Sequence, residues 1–241
     1  MKQAAFLLTF TTFGLYGQDK ANINPLLQRH KLQIGLNVSP DLCYRTPRNN
    51  DGDPITDLFI ELINKNETFK AGYTAGLNFC YNRNNSFGFE TGIQYSNKGN
   101  QTKIRVLYPL QPDPFAPEKV RNVYSYHCID VPLKVNYTKG KKKFQFISSL
   151  GLTTNIYIKQ TNTSYYFYPG RTEKVIQPVS SDINRVNVSV AMSVGLNYRM
   201  NEKNSLRFEP SFRHVVIKRN YDPIGYYLFS TGLNIGYYVH L

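Results

Sequence analysis

Residues 186–199 alternate without a break. Val186, Val188, Val190, Met192, Val194, Leu196 and Tyr198 hold every second position, with Asn187, Ser189, Ala191, Ser193, Gly195, Asn197 and Arg199 between them. Successive Cβ atoms of a strand point to opposite faces, so this spacing lays one apolar and one polar face along a single strand. The pattern recurs from the beginning of the chain to its end. Leu32, Ile34, Leu36 and Val38 oppose Gln33, Gly35, Asn37 and Ser39. Segments 71–81, 87–96, 129–137, 144–156, 206–216 and 227–241 repeat it, weakest in 206–216, where His214 interrupts the apolar set. Eight amphipathic strands are expected.

The connections alternate in length. Asn82 to Ser86, Thr138 to Lys142 and Met200 to Asn204 are tight and rich in Asn, Gly and Lys, which suits hairpin turns. Thr46 to Phe69, Gly99 to Asn122 and Gln160 to Ile183 are long, and Arg219 to Ile224 is shorter. Short turns at one end and long loops at the other describe an up-and-down barrel in a bacterial outer membrane. With an even strand number, both termini fall at the periplasmic end.

Which face points inward decides between membrane and water. A soluble barrel encloses its apolar set and needs a charged or hydroxylated outer face. Here the polar set is dominated by Gly, Asn and Ser, including Gly35, Gly72, Gly76, Gly92, Gly195, Gly232 and Gly236. Small residues suit the crowded interior of a narrow barrel. The apolar set carries aromatics near the strand ends, as a membrane girdle does. The fold expected is therefore all-β: an eight-stranded antiparallel transmembrane barrel with long extracellular loops and short periplasmic turns. The location expected is the outer membrane of a Gram-negative cell.

Composition agrees. No run approaches the roughly 18–20 apolar residues of a spanning helix. The mean hydropathy of −0.41 is no obstacle, because a barrel needs apolar side chains only at alternate positions. The net charge of +13 lies largely in turns and loops such as Lys139, Lys141, Lys142 and Lys143. No nucleic-acid-binding motif accompanies it, so nucleic acid is not an expected partner. Cys43, Cys80 and Cys128 have no metal-ligand spacing and read as small buried residues. Lys2, the apolar stretch Ala4 to Tyr16 and the small residue Gly17 have the layout of an export signal cleaved after Gly17. The chain then divides into a signal peptide (1–17), a periplasmic linker (18–30) and the barrel (31–241).

Glu90, Asp130, Lys134, Arg199, Arg207, Glu209 and Arg213 all fall on the polar parity. An interior of both signs is expected to pair its charges, since an unpaired charge away from water is costly. Eight strands enclose only enough room for side chains, so a plugged lumen is expected and an open pore is not. For catalysis, Ser125 and His127 are the nearest approach to a nucleophile and base. Side chains two apart on one strand face sit about 6–7 Å apart, beyond a direct hydrogen bond. No catalytic set, cofactor or metal site is expected.

Two loop features stand out. Asp53 and Pro54 offer an N-cap and first-turn residue before Ile55, Leu58, Phe59, Leu62 and Ile63, the spacing of an amphipathic helix. Tyr165, Tyr166, Phe167, Tyr168 and Arg171 flank Pro169-Gly170 as an aromatic hairpin tip. They form a candidate binding surface for a glycan or protein, or an extension of the strands above the membrane.

The run Ile129-Asp130-Val131-Pro132-Leu133-Lys134, the segment Gly92-Ile93-Gln94-Tyr95-Ser96-Asn97-Lys98-Gly99 and the closing hairpin resemble the PorT-like outer-membrane β-barrel domain proteins, related in architecture to the OmpA and OmpX barrels. The resemblance covers about residues 31–241 and implies location more than activity. Asn234, Gly236, Val239 and Leu241 resemble a barrel-assembly signal, though such signals usually end in an aromatic residue. Outer-membrane lipid and the barrel-assembly machinery are thus implied partners, with an envelope protein or glycan at the loops. The expected function is non-enzymatic, a structural or surface-interaction role. The alternatives are a secretion or envelope-assembly accessory, as some PorT-like proteins are, and an outer-leaflet lipid hydrolase.

Overall fold

The computed structural model describes residues 31–84, 86–108, 115–140, 142–179, 185–217 and 223–241. The expected signal peptide and linker lie outside them. In chain order the elements are β1 (Leu32–Asn49), α1 (Pro54–Asn66), β2 (Glu67–Thr68), β3 (Lys70–Asn82), β4 (Phe87–Thr102), β5 (Arg105–Val106) and β6 (Lys119–Lys139). There follow β7 (Phe144–Tyr168), β8 (Arg171–Val179), β9 (Val186–Arg199), β10 (Asn204–Ile217) and β11 (Ile224–His240).

The eight long strands close a ring in the order β1-β3-β4-β6-β7-β9-β10-β11, and β11 pairs again with β1. Every pairing is antiparallel, so each strand meets its sequence neighbour and the barrel has no free edge within the ring. The amide of Leu241 donates to the Leu32 carbonyl at 2.9 Å, which ties the two ends of the barrel together. Four prolines lie in the ring strands, Pro40, Pro47, Pro132 and Pro210. Beside Pro40 and Pro210 the ladder to one neighbour loses its rungs, as it does beside Pro132, because proline has no N–H to donate.

The barrel is apolar outside and polar inside. Leu36, Leu133, Leu150 and Ile93 are at least 60% exposed, whereas Asn37, Asn78, Glu90, Asp130 and Glu209 are at most 2% exposed. The aromatic residues of the outer face fall in two bands. Phe87–Tyr137 and Phe144–Tyr198 ring pairs mark the turn end, and Tyr73–Tyr95, Tyr95–His127 and the Tyr44–Phe69–Phe229 cluster mark the loop end. Tyr81 to Tyr73 and Phe87 to Tyr95 each span eight residues, about 26 Å of strand and about 20 Å along the normal at a tilt near 40°. That is the height of a lipid-facing band.

The strands run further than alternation alone predicts. β1 continues to Asn49, β4 to Thr102, and β6 begins at Lys119. Above the upper girdle the outer face no longer meets lipid, so its residues become polar and the apolar signature stops before the strand does. The third loop is a hairpin: β7 extends to Tyr168, turns at Gly170 with φ +77°, and returns as β8. A bulge at His127/Cys128, opposite Lys159 and Tyr157, leaves Ile158 as the extra residue where this extension leaves the barrel. The helix forms where Asp53 and Pro54 predict it; the Asp53 carboxylate accepts from the Ile55 amide at 2.9 Å.

Candidate functional site

The interior is a stack of ion pairs that the topology assembles from strands distant in sequence. Near the periplasmic end, Glu90 of β4 meets Lys134 of β6 at 2.5 Å and Arg207 of β10 at 3.0 Å. Asn78 and Asn136 also donate to this carboxylate, at 3.0 and 2.9 Å. Arg207 donates to Gln33 at 2.6 Å and lies 3.7 Å from the centre of the Tyr238 ring. Tyr238 is fully buried and lies between Gly35 and Gly236. A Cβ on either glycine would come within 2.4–2.6 Å of that ring, so only glycine leaves room for it.

One layer up, Glu209 accepts from Ser149 at 3.2 Å and Ser193 at 3.0 Å, while Asn37 donates to Asn234 at 3.1 Å. Lys134, Ser193, Ser211, Arg213 and Asn234 line a cavity of about 20 Å³. Above it Arg213 pairs with Asp41 at 3.1 Å, Thr74 donates to Asp41 at 2.6 Å, and Lys98 pairs with Asp130 at 2.7 Å. Asn155 also donates to Asp130, at 2.7 Å. At the mouth Arg45 pairs with Glu67, and its guanidinium lies 4.0 Å from the Tyr226 ring and 5.4 Å from the Tyr124 ring.

All seven charges expected in the lumen are buried there except Lys134, which is nearly so. The expectation that they all pair needs correction. Among the described residues Glu209 has no ion pair and uses serine hydroxyls instead, and none is found for Arg199. The lumen also holds charges outside these seven. Asp41 and Lys98 complete two of the pairs, and each lies just past an alternating segment legible in the sequence, 32–39 for Asp41 and 87–96 for Lys98. Continuing the inward parity past Ser39 and Ser96 finds both. Arg45–Glu67 had no such signal, because Glu67 reaches the mouth only through the return of the first loop.

The aromatic tip does not form one surface. Along β7 the pleat sends Tyr166 and Tyr168 to one face and Tyr165 and Phe167 to the other. Arg171 joins the first set, 4.6 Å from the Tyr168 ring. The face of Tyr166 and Tyr168 continues into the buried Val120, Tyr126 and Ser164 over the mouth, and the face of Tyr165 and Phe167 is turned outward. The three cysteines are buried and unbonded to one another. Ser125 and His127 are not hydrogen-bonded to each other among the described contacts; His127 Nδ1 meets the Tyr95 hydroxyl and Nε2 lies 3.5 Å from Thr161. At the C-terminus, Asn234 and Gly236 point inward, whereas Val239 and Leu241 face outward.

A closed, outward-greasy ring of eight strands with a charged interior defines an integral barrel of the outer membrane. Residues 18–216 match the family model described as outer membrane protein beta-barrel domain, and the chain belongs to that family. No curated protein matches the chain. Among solved structures, it is similar to OprG from Pseudomonas aeruginosa (12% identity, TM-score 0.46, 90% of this chain and 99% of that one). It is similar also to Neisserial surface protein A (10%, 0.45, 89% and 99%) and to Ail, the attachment invasion locus protein of Yersinia pestis (14%, 0.35, 88% and 99%).

Proposed function

We propose that the mature protein is a non-enzymatic barrel with a plugged lumen that acts at the cell surface through its extracellular sheet. The observation that carries this is the lumen itself. Four carboxylates held by cations, together with Tyr238 packed between two glycines, occupy the cross-section from turn end to mouth. Buried polar groups satisfied in this way rigidify a core, and a pore would need them parted and rehydrated. The engagement of both His127 nitrogens away from Ser125 supports the non-enzymatic part. The polypeptide is exported with cleavage after Gly17 and inserted by the barrel-assembly machinery through its C-terminal strand. In planar bilayers the refolded protein gives no discrete conductance steps; steady single-channel openings would refute the plug.

A PorT-like accessory role in secretion or envelope assembly is the alternative reading. It draws support from α1, which presents Ile55, Leu58, Phe59 and Leu62 about half exposed above the membrane. An envelope complex that co-purifies with the wild type and is lost on replacing 54–66 by a Gly-Ser linker favours it. A hydrolase acting through Ser125 and His127 requires lipid A modification to disappear in H127A.

A further inference from the structure

Above the membrane β5, β6, β7 and β8 pair as one sheet, and its two faces differ in charge. Register places Arg121, Tyr165 and Lys174 on one rung across three adjacent strands, and Lys119 opposite Phe167 on the next rung but one. Strand spacing of about 4.8 Å sets the Cα atoms of Arg121 and Lys174 about 10 Å apart, on either side of Tyr165. The Arg121 guanidinium lies 4.9 Å from the Tyr165 ring, and its Nε has no hydrogen-bond partner. Lys159 sits lower on the same face, opposite His127, which itself touches Tyr95 of the upper girdle. Among the described residues no Asp or Glu shares this face, since Glu173 alternates to the mouth side opposite Tyr166. Lys119, Lys159 and Lys174 are exposed.

The height of these cations is informative. Lys159 is level with the girdle that marks the edge of the hydrocarbon. Arg121 and Lys174 lie six residues further, about 20 Å along the strand and about 15 Å along the normal. The face therefore rises without interruption from the lipid-facing band through the depth occupied by a lipid's headgroup. Cations there meet anions fixed in a membrane surface, and an aromatic ring between them offers a face to a sugar ring.

We infer that the outward face of the β6–β7–β8 sheet binds the phosphorylated saccharide headgroup of an outer-leaflet glycolipid, with Lys159, Arg121 and Lys174 on its phosphates and Tyr165 and Phe167 against its sugars. The inference rests on the surface-interaction reading above and names the ligand of that surface. It accounts for three basic residues, Arg121, Lys159 and Lys174, that lie in strands and not in turns. It also explains why the aromatic tip is divided between two faces: one half shares the mouth-side face with Val120 and Ser164, and the other half turns toward the surrounding membrane.

The test uses the full mature barrel in zwitterionic detergent, titrated with purified phosphorylated lipopolysaccharide and followed by native mass spectrometry. Binding is expected to weaken with salt. It should fall at least about ten-fold in R121Q/K159Q/K174Q, at roughly a few-fold for each cation removed from an anionic surface. The exposed single variant K174Q should show part of that loss with heat-modifiable gel mobility unchanged. K142Q/K143Q, at the periplasmic turn, should bind as the wild type does, and lipid stripped of its phosphates should bind weakly to every variant. Wild-type affinity in the triple variant overturns the proposal. So does equal binding of the phosphorylated oligosaccharide without acyl chains, which would assign the face to a soluble polyanion. Conductance in bilayers would sink the plug and leave this binding intact, so the two failures are distinct.

Discussion

At the scale of single residues, the interior depends on a few groups that cannot be altered alone. Glu90 is the partner of both Lys134 and Arg207, so E90Q leaves two buried cations without their counterion. Breaking a buried pair from one side costs about 3–5 kcal/mol, more than a rim pair ever returns. E90Q should therefore lower the urea midpoint of the refolded barrel by an amount equivalent to about 3 kcal/mol or more. The chain has no Trp, so the transition is followed by gel mobility and circular dichroism. Gly35 is the steric counterpart. A Cβ there would stand 2.4 Å from Tyr238 Cε1, and overpacking of this kind costs about 1–3 kcal/mol. G35V should destabilise, and G35V/Y238L should recover most of the loss. Equal loss in the double variant would show that the clash is not with the ring.

At the scale of elements, each piece is stabilised by what surrounds it. The helix α1 begins at an Asp53 cap and a proline at its first turn, and is laced by Lys65 to Glu61 at 2.8 Å. That hydrogen bond holds the exposed Glu61 carboxyl below its usual value, so the small support it lends is lost as pH falls through the carboxylate range. Removing the cap in D53A costs the helix about 1 kcal/mol. Hydrogen exchange should quicken in 54–66 while the amides of β1 and β3 keep their protection; spread of the change into β1 would mean that the helix braces the wall. α1 and the hairpin of β7 and β8 were both legible in the sequence, because a cap with 3.6-residue spacing and a Pro-Gly turn are local signals. The ends of β1, β4 and β6 above the upper girdle were not. Their outer faces meet no lipid, and without an apolar solvent on one side there is nothing to enforce alternation.

At the scale of the whole molecule, closure is what makes the fold viable in lipid. A spanning sheet with an open edge would leave backbone donors and acceptors unpaired in hydrocarbon, at several kcal/mol for each group. β11 supplies that closure by pairing with both β1 and β10. A chain ending at residue 223 is expected to show no heat-modifiable species and to be degraded in cells, whereas L241F, which places an aromatic residue just past β11, should insert at least as well as the wild type. Folded, membrane-inserted protein from the truncated chain would contradict the ring.

The amino-acid sequence by itself determined the strand number, the parity of every wall segment and the choice of which face meets lipid. Those properties depend only on near neighbours along the chain and on the solvent each face requires. The tertiary structure alone decided which charges meet. Glu90 with Arg207, Asp41 with Arg213, and Arg45 with Glu67 are brought together by ring closure, strand register and the path of a loop. It also decided that the four consecutive aromatic residues of the hairpin serve two different surfaces, because a pleat divides what the sequence places side by side.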